Sequence, residues 1–277
     1  MKRKSLLIYT AIYLLLALYV VVTLSPLVIV VSSSMRTVDN MSSPLKVFSE
    51  FSMESYITAF HNMNYPSTLW NSVMTTVGSV IVIVLIGSMA AYPISRIQNT
   101  WSRFLYYFFI AGLIIPSQMV IVPIAQMFGR LNIASTRFTP MIMFITCSLP
   151  FTTFLYAGFL KGIPVEVEEA AYMDGADLRI RFFKIIFPLM KPATVSVVIT
   201  QGLWIWNDYF YPMIFVSKKA QYSLPVAMIQ FLGDRENPAQ WNVLFAACVL
   251  GALPLILLFA CLQKQFVNGI AAGAVKG

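Results

Sequence analysis

The chain has 277 residues, 58% of them hydrophobic and only 11% charged, where a soluble domain carries about 45–50% apolar and about 25% charged residues. A mean hydropathy of +0.76 leaves too little polar surface to wrap water-soluble cores, which excludes an ordinary cytosolic enzyme, a secreted disulfide scaffold and a disordered chain. The net charge of +8 would suggest nucleic acid in a soluble protein, but in a membrane protein the placement of charge matters more than its total.

Crossing a hydrocarbon core about 30 Å thick takes roughly 20 helical residues. Segments 6–31, 69–92, 104–128, 140–160, 193–211 and 243–262 meet that requirement, and Asp208 is the sole charged residue within them. An all-α membrane protein with six transmembrane helices in a single domain over 1–277 is predicted. The first span follows Lys2, Arg3 and Lys4; its apolar run exceeds the roughly 7–15 residues of a signal-peptide core, so a retained anchor is expected. If the N-terminus is cytoplasmic and the spans alternate, the inner segments hold Lys2, Arg3, Lys4, Arg96, Arg103, Lys161, Arg179, Arg181, Lys184, Lys191, Lys264 and Lys276. These are twelve of the nineteen basic residues, and both termini are expected inside. The outer segments are then 32–68, 129–139 and 212–242.

Polar and helix-perturbing residues inside spans mark a candidate pathway. The second span offers Asn71; the third offers Gln118 beside Pro116, Ser117 and Pro123, and both prolines are expected to free carbonyls and kink the helix. The fifth offers Gln201, Trp204, Asn207 and Asp208. Aromatic faces and side chains that both donate and accept suit a neutral polyol, although the same residue types also hold helices together in lipid. Asp208 either caps or pairs near an outer gate or sits at the water boundary, and the boundary is expected. Gly158 and Gly162 form a G-x-x-x-G pair, a signal for close packing at the end of the fourth span.

Catalytic and energy-transducing motifs are missing from the sequence. It contains no G-x-x-x-x-G-K-[ST] stretch and no Gly-Lys dipeptide, no H-E-x-x-H and no G-x-S-x-G, and its one histidine is His61. Cys147, Cys248 and Cys261 lie in apolar runs without ligand spacing, so neither a metal site nor a disulfide framework is expected. The spans lack rows of ionisable residues, which argues against a proton-coupled pump. Uphill movement would draw its energy from another subunit.

The segment between the fourth and fifth spans, 161–192, carries the most information. Pro164 suits the first turn of a helix, where Glu166, Glu168 and Glu169 would meet the positive end of its dipole. Gly175 is placed for a sharp break, and Asp177 for the N-cap of a second short helix limited by Pro188. Small Ala170 and Ala171 leave room for another protein, so helix, turn, helix reads as a docking element; an amphipathic helix lying in the membrane interface is the alternative.

Glu169-Ala170-Ala171, three residues, Gly175, nine residues, Ile185, one residue, Phe187-Pro188 resembles the E-A-A-x3-G-x9-I-x-L-P signature of binding-protein-dependent ABC import permeases. Phe187 stands where that signature has Leu, a large apolar exchange. Trp206-Asn207-Asp208-Tyr209-Phe210-Tyr211-Pro212 resembles the W-N-D-aromatic segment of carbohydrate-uptake permeases, and 266–277 is similar to the tail of the maltose-type (MalG-like) permeases. The resemblance covers essentially the whole chain. It implies a type I importer fold whose cytoplasmic coupling helices dock in a cleft of an ATP-hydrolysing subunit, with Glu168, Glu169, Ala170, Ala171, Asp174, Gly175, Ala176 and Pro188 in the coupling loop. It further implies a second permease, a pair of ATPases that bind ATP and Mg, an external solute-binding protein, and no cofactor on this chain. By the same resemblance Asn268, Gly269 and Gly273 reach toward the ATPases, a flexible terminus being the alternative. Sugar import across the bacterial cytoplasmic membrane is the expected function. Import of glycerol phosphate or another polyol, a stand-alone channel or carrier, and a membrane-embedded enzyme remain as alternatives.

Overall fold

The computed structural model describes the backbone over 2–274 apart from 41, 42, 44, 134, 236 and 237, and side chains over 9–260 apart from the same positions. Among the described residues every regular element is helical: α1 (Lys2–Ser34), α2 (Glu54–Asn62), α3 (Tyr65–Arg96), α4 (Thr100–Ile114), α5 (Ile121–Arg130), α6 (Phe138–Leu160), α7 (Glu166–Met173), α8 (Leu178–Ile180), α9 (Phe187–Leu189), α10 (Lys191–Asn207), α11 (Phe210–Phe215), α12 (Leu224–Ile229) and α13 (Trp241–Ala274), with short 3₁₀ and π stretches between them.

Four stretches are long and apolar enough to cross a membrane: Tyr9–Ser34, Tyr65–Arg96, Phe138–Leu160 and Trp241–Ala260. Two further crossings exist if each of two bent pairs counts as one span: Thr100–Ile114 with Ser117–Arg130, bent by 89°, and Leu178–Leu189 with Lys191–Asn207, bent by 71°. The kink expected at Pro116 in the third span, 104–128, is thus a sharp break. Ile115 is extended (φ −77°, ψ 116°), as a residue ahead of proline prefers. Pro123, also expected to kink, falls in the first turn of α5, where its missing N–H is not needed. The helix expected over 193–211 starts at Lys191 and stops at Asn207, where Asp208 turns extended.

The chain divides into two compact units, residues 1–65 with 227–257 and residues 66–226 with 258–277. In the first, α1 exposes apolar side chains all round, as a helix solvated by lipid does. Its C-terminal serines are buried in a polar knot. Ser34 Oγ and Tyr56 OH share a hydrogen bond of 2.8 Å, the Phe48 N–H donates to Ser32 Oγ at 2.6 Å, and Ser55 Oγ donates to the Arg36 carbonyl at 2.7 Å. Arg36 itself is 1% exposed and donates through Nη2 to the carbonyls of Ser43 (3.1 Å) and Lys46 (2.6 Å).

The second unit holds the main core, in which Ile83, Phe144, Tyr156, Leu160, Ile186 and Val197 are fully buried. Tyr156 of α6 donates to Thr194 of α10 at 3.0 Å, which satisfies its hydroxyl inside the bundle. Helices α3 and α6 pack so closely that a Cβ on Gly87 would run into Thr152 Cγ2 and lie 3.1 Å from Thr152 Cβ. Gly158, by contrast, has open space where its Cβ would stand, so within the chain the close approach of α3 and α6 is at Gly87 and not at Gly158. Gly87→Ala should cost about 1–3 kcal/mol as overpacking, read as an earlier midpoint of thermal aggregation in detergent. Adding Thr152→Ser, which removes the obstructing methyl, should recover most of the loss.

Candidate functional site

In the segment after α6 the breaks and caps expected at Gly175 and Asp177 form, whereas Pro164 lies ahead of α7 rather than in its first turn and Pro188 falls inside α9. α7 begins at Glu166, two residues after Pro164, with Glu166, Glu168 and Glu169 in its first turn, where the dipole favours carboxylates. It ends in a Schellman motif: the Ala176 N–H donates to the Ala171 carbonyl (2.9 Å) and the Gly175 N–H to the Tyr172 carbonyl (3.0 Å). Gly175 sits at φ +83°, the left-handed conformation that glycine adopts at no steric cost. The Asp177 carboxylate then accepts from the Ile180 N–H at 2.7 Å and starts α8.

From Arg181 to Ile186 the chain widens into a π-helix, with the Phe187 N–H donating to the Phe182 carbonyl. Pro188 has no N–H to give the Lys184 carbonyl, so the ordinary i−4 ladder cannot run through it, and the wider turn precedes the proline. Sequence reading missed this stretch.

Burial sorts the predicted coupling residues onto two faces. Glu168 (5% exposed) and Ala171 point inward, while Glu169, Ala170, Asp174, Gly175 and Pro188 are exposed and Ala176 is half-buried. Beside them an apolar surface stands in solvent: Val165, Tyr172, Met173 and Leu178, with Met173 83% exposed. The Arg181 guanidinium lies 5.2 Å from the centroid of the Tyr172 ring, a cation–π contact that links the two arms of the element.

The inward carboxylate of Glu168 is fully engaged. Arg96 Nε donates to Oε1 at 2.6 Å, Tyr92 OH donates to Oε2 at 2.5 Å, and Arg96 Nη2 donates to the Ile163 carbonyl at 3.0 Å. Tyr92 and Arg96 were missed as site residues. Their signal in the sequence is an i, i+4 pair at the end of an apolar span, one face of a helix carrying a donor and a cation.

The predicted pathway residues divide. Asn71 Nδ2 donates to the carbonyls of Ala220 (2.9 Å) and Tyr222 (3.1 Å), so it ties α3 to the segment before α12. Asn207 Nδ2 bonds the Leu203 carbonyl of its own helix. Asp208, expected merely at a water boundary, caps: its Oδ1 accepts from the Phe210 N–H (2.8 Å) and the Tyr211 N–H (3.2 Å). Trp204 meets Phe144 edge to face at 5.5 Å, and Phe144 meets Tyr211 in the same way at 5.5 Å. Tyr211 OH donates to Ser117 Oγ at 2.6 Å, beside exposed Gln118 at the break of the third span. The structure therefore gathers Trp204, Asp208 and the Ser117–Gln118 turn around an aromatic cluster. Gln201 is buried in α10. Asn268, Gly269 and Gly273 lie in α13, outside the residues whose side chains are described.

Comparisons with known proteins agree with this architecture. The melibiose/raffinose/stachyose import permease protein MelC of Bacillus subtilis is 32% identical over 277 residues, covering 100% of this chain and 99% of its own. The multiple sugar-binding transport system permease protein MsmG of Streptococcus mutans is 30% identical over 281 residues, covering all of both chains. Among solved structures, a chain of a bacterial ABC transporter involved in the import of the acidic polysaccharide alginate superposes with a TM-score of 0.82 at 20% identity, covering 95% of this chain and 98% of that one; it shares the fold. The family model of the binding-protein-dependent transport system inner membrane component matches residues 83–271. With the exposed Glu169–Gly175 turn carried on a helical membrane body, this chain belongs to the binding-protein-dependent transport system inner membrane components.

Proposed function

We propose that the chain is the permease subunit of an ATP-driven, binding-protein-dependent importer that carries a sugar or oligosaccharide across the cytoplasmic membrane. The observation that carries this reading is the exposed face of α7 and its turn. Glu169, Ala170, Tyr172, Met173, Asp174 and Gly175 form a surface of apolar and small residues with two carboxylates, shaped by a Schellman turn and backed by a buried joint. Such a surface suits a protein partner. Carbohydrates recur in the names of the full-length relatives, which favours sugar over glycerol phosphate or another polyol.

In this reading each bent pair is one crossing, giving six, and both termini are cytoplasmic. α7 docks on one of two partner subunits that bind ATP and Mg and hydrolyse the nucleotide. A second permease completes the pathway, and an external solute-binding protein delivers the cargo. The chain performs no bond-making chemistry. Closure of the ATPases moves α7, and packed helices pass between two discrete arrangements. In this reading exposed Trp204 and Gln118 meet the sugar, since a ring face packs on its C–H surface, while buried Phe144 and Tyr211 support them from behind. No observation favours a stand-alone channel.

Sugar uptake into vesicles loaded with ATP, with and without the partner subunits, tests the reading; uptake by this chain alone would overturn it. Native mass spectrometry of the solubilised complex should show one different permease and two ATPase copies. Glu169→Lys reverses one of the charges on the docking face and should reduce uptake about tenfold or more, equivalent to at least ~1.4 kcal/mol of coupling, at unchanged membrane levels. For Gly175 the left-handed turn costs other residues about 1–2 kcal/mol, while Asn tolerates it. Nothing lies within 4 Å of a Cβ there, so Gly175→Asn should transport better than Gly175→Val; equal activity would remove the conformational argument.

A further inference from the structure

Helix α7 is held to the body of the protein by residues far from it in sequence. Glu168 stands 76 positions after Tyr92 and 72 after Arg96, yet each of its carboxylate oxygens takes a proton donor from the last two turns of α3. A carboxylate at this depth is stable only when paired and hydrogen-bonded. The arginine does more than neutralise it. Its second nitrogen holds the Ile163 carbonyl, so the linker ahead of α7 is fixed to α3 along with the helix itself. The planar guanidinium makes the two contacts from separate nitrogens held in one rigid fork.

Tyr92 engages the other arm of the loop as well. Its ring lies 5.3 Å from that of buried Phe182 in the π-helix. One residue of α3 therefore touches both α7, through its hydroxyl, and the segment leading to α10, through its ring. The end of α3 is itself secured. Ser102 Oγ donates to the Ile94 carbonyl at 2.8 Å, and the Asn99 side chain accepts the Ser102 N–H at 2.7 Å. The turn into α4 is thereby locked.

We infer that Tyr92 and Arg96 are positioning residues that make α7 and the end of α3 a single lever, so that a displacement of the docking helix reaches α3 directly. Chain connectivity would send it only into α6 and α10, the neighbours of the loop in sequence. The clamp adds a third output, and that output runs through Glu168, which faces the chain's own interior rather than a partner. This inference rests on the importer reading above, in which α7 receives the stroke.

The test uses the complete complex in proteoliposomes and reads sugar moved per ATP hydrolysed. Tyr92→Phe keeps the ring on Phe182 and removes one bond to Glu168; Glu168→Gln removes the charge that both donors hold. Each should lower the ratio threefold or more. The double variant should be no worse than the poorer single one, because both act through one joint. A merely structural role would change the amount of assembled complex, or lower uptake and hydrolysis in parallel, and leave the ratio alone; either result overturns the inference. If Glu168→Gln fails to assemble, Tyr92→Phe decides, and an unchanged ratio in it refutes the clamp. Absence of ATP-dependent uptake by the unaltered complex would instead refute the importer reading itself.

Discussion

Within hydrocarbon a peptide N–H or C=O has no water to bond, so each must be satisfied by the chain itself. That constraint explains why every regular element among the described residues is helical, and it also governs where the helices are allowed to break. Past the break at Pro116, the Met119 N–H returns to the Pro116 carbonyl at 3.0 Å. At Met190, between α9 and α10, the N–H donates to the carbonyls of both Ile186 and Phe187. At Asp208 the side chain takes over the two N–H groups that open α11. Each departure from a straight span is accompanied by protein groups that do what water would do elsewhere.

The same rule acts on side chains, and it stiffens the segments between helices. Arg36 in one unit and Arg96 in the other are both drawn inside, and each is met by oxygen acceptors at hydrogen-bonding distance. Around Arg36 the carbonyls of Ser43 and Lys46 converge, and Asn242 adds bonds to the carbonyls of Thr37 and Asn40. Around Arg96 the start of α7 is built. A guanidinium can serve several acceptors in one plane, so one buried residue organises a loop that has no secondary structure to do so. The result for α7 is an inner face held by Tyr92 and Arg96 and an exposed outer face.

Much of the element around α7 was legible in the sequence. Gly175 as a break, Asp177 as a cap and three glutamates in the first turn are local features, and each depends on residues no more than about four positions apart. Four of the six expected spans were legible as single long helices, because an apolar run of sufficient length has few alternatives. Pro116 announced a break, although not one of 89°, and Pro123 misled because its position relative to the start of α5 was unknown. Gly158 of the Gly158–Gly162 pair meets open space within the chain. A glycine spacing states that close approach is possible there, while the actual approach, at Gly87 and Thr152, depends on how two helices are rotated about their axes.

The sequence by itself determined the membrane class, the helical nature of the chain and the capped turn that carries the family signature. All three follow from hydropathy and from bonds between near neighbours. Only the tertiary structure decided that Glu168 faces inward onto Tyr92 and Arg96, that Asn71 is occupied by the carbonyls of Ala220 and Tyr222, and that Trp204 and Tyr211 share Phe144. Those pairings join residues dozens of positions apart. They depend on the rotation and register of packed helices, and hydropathy, which records how apolar a face is, carries no record of which face it meets.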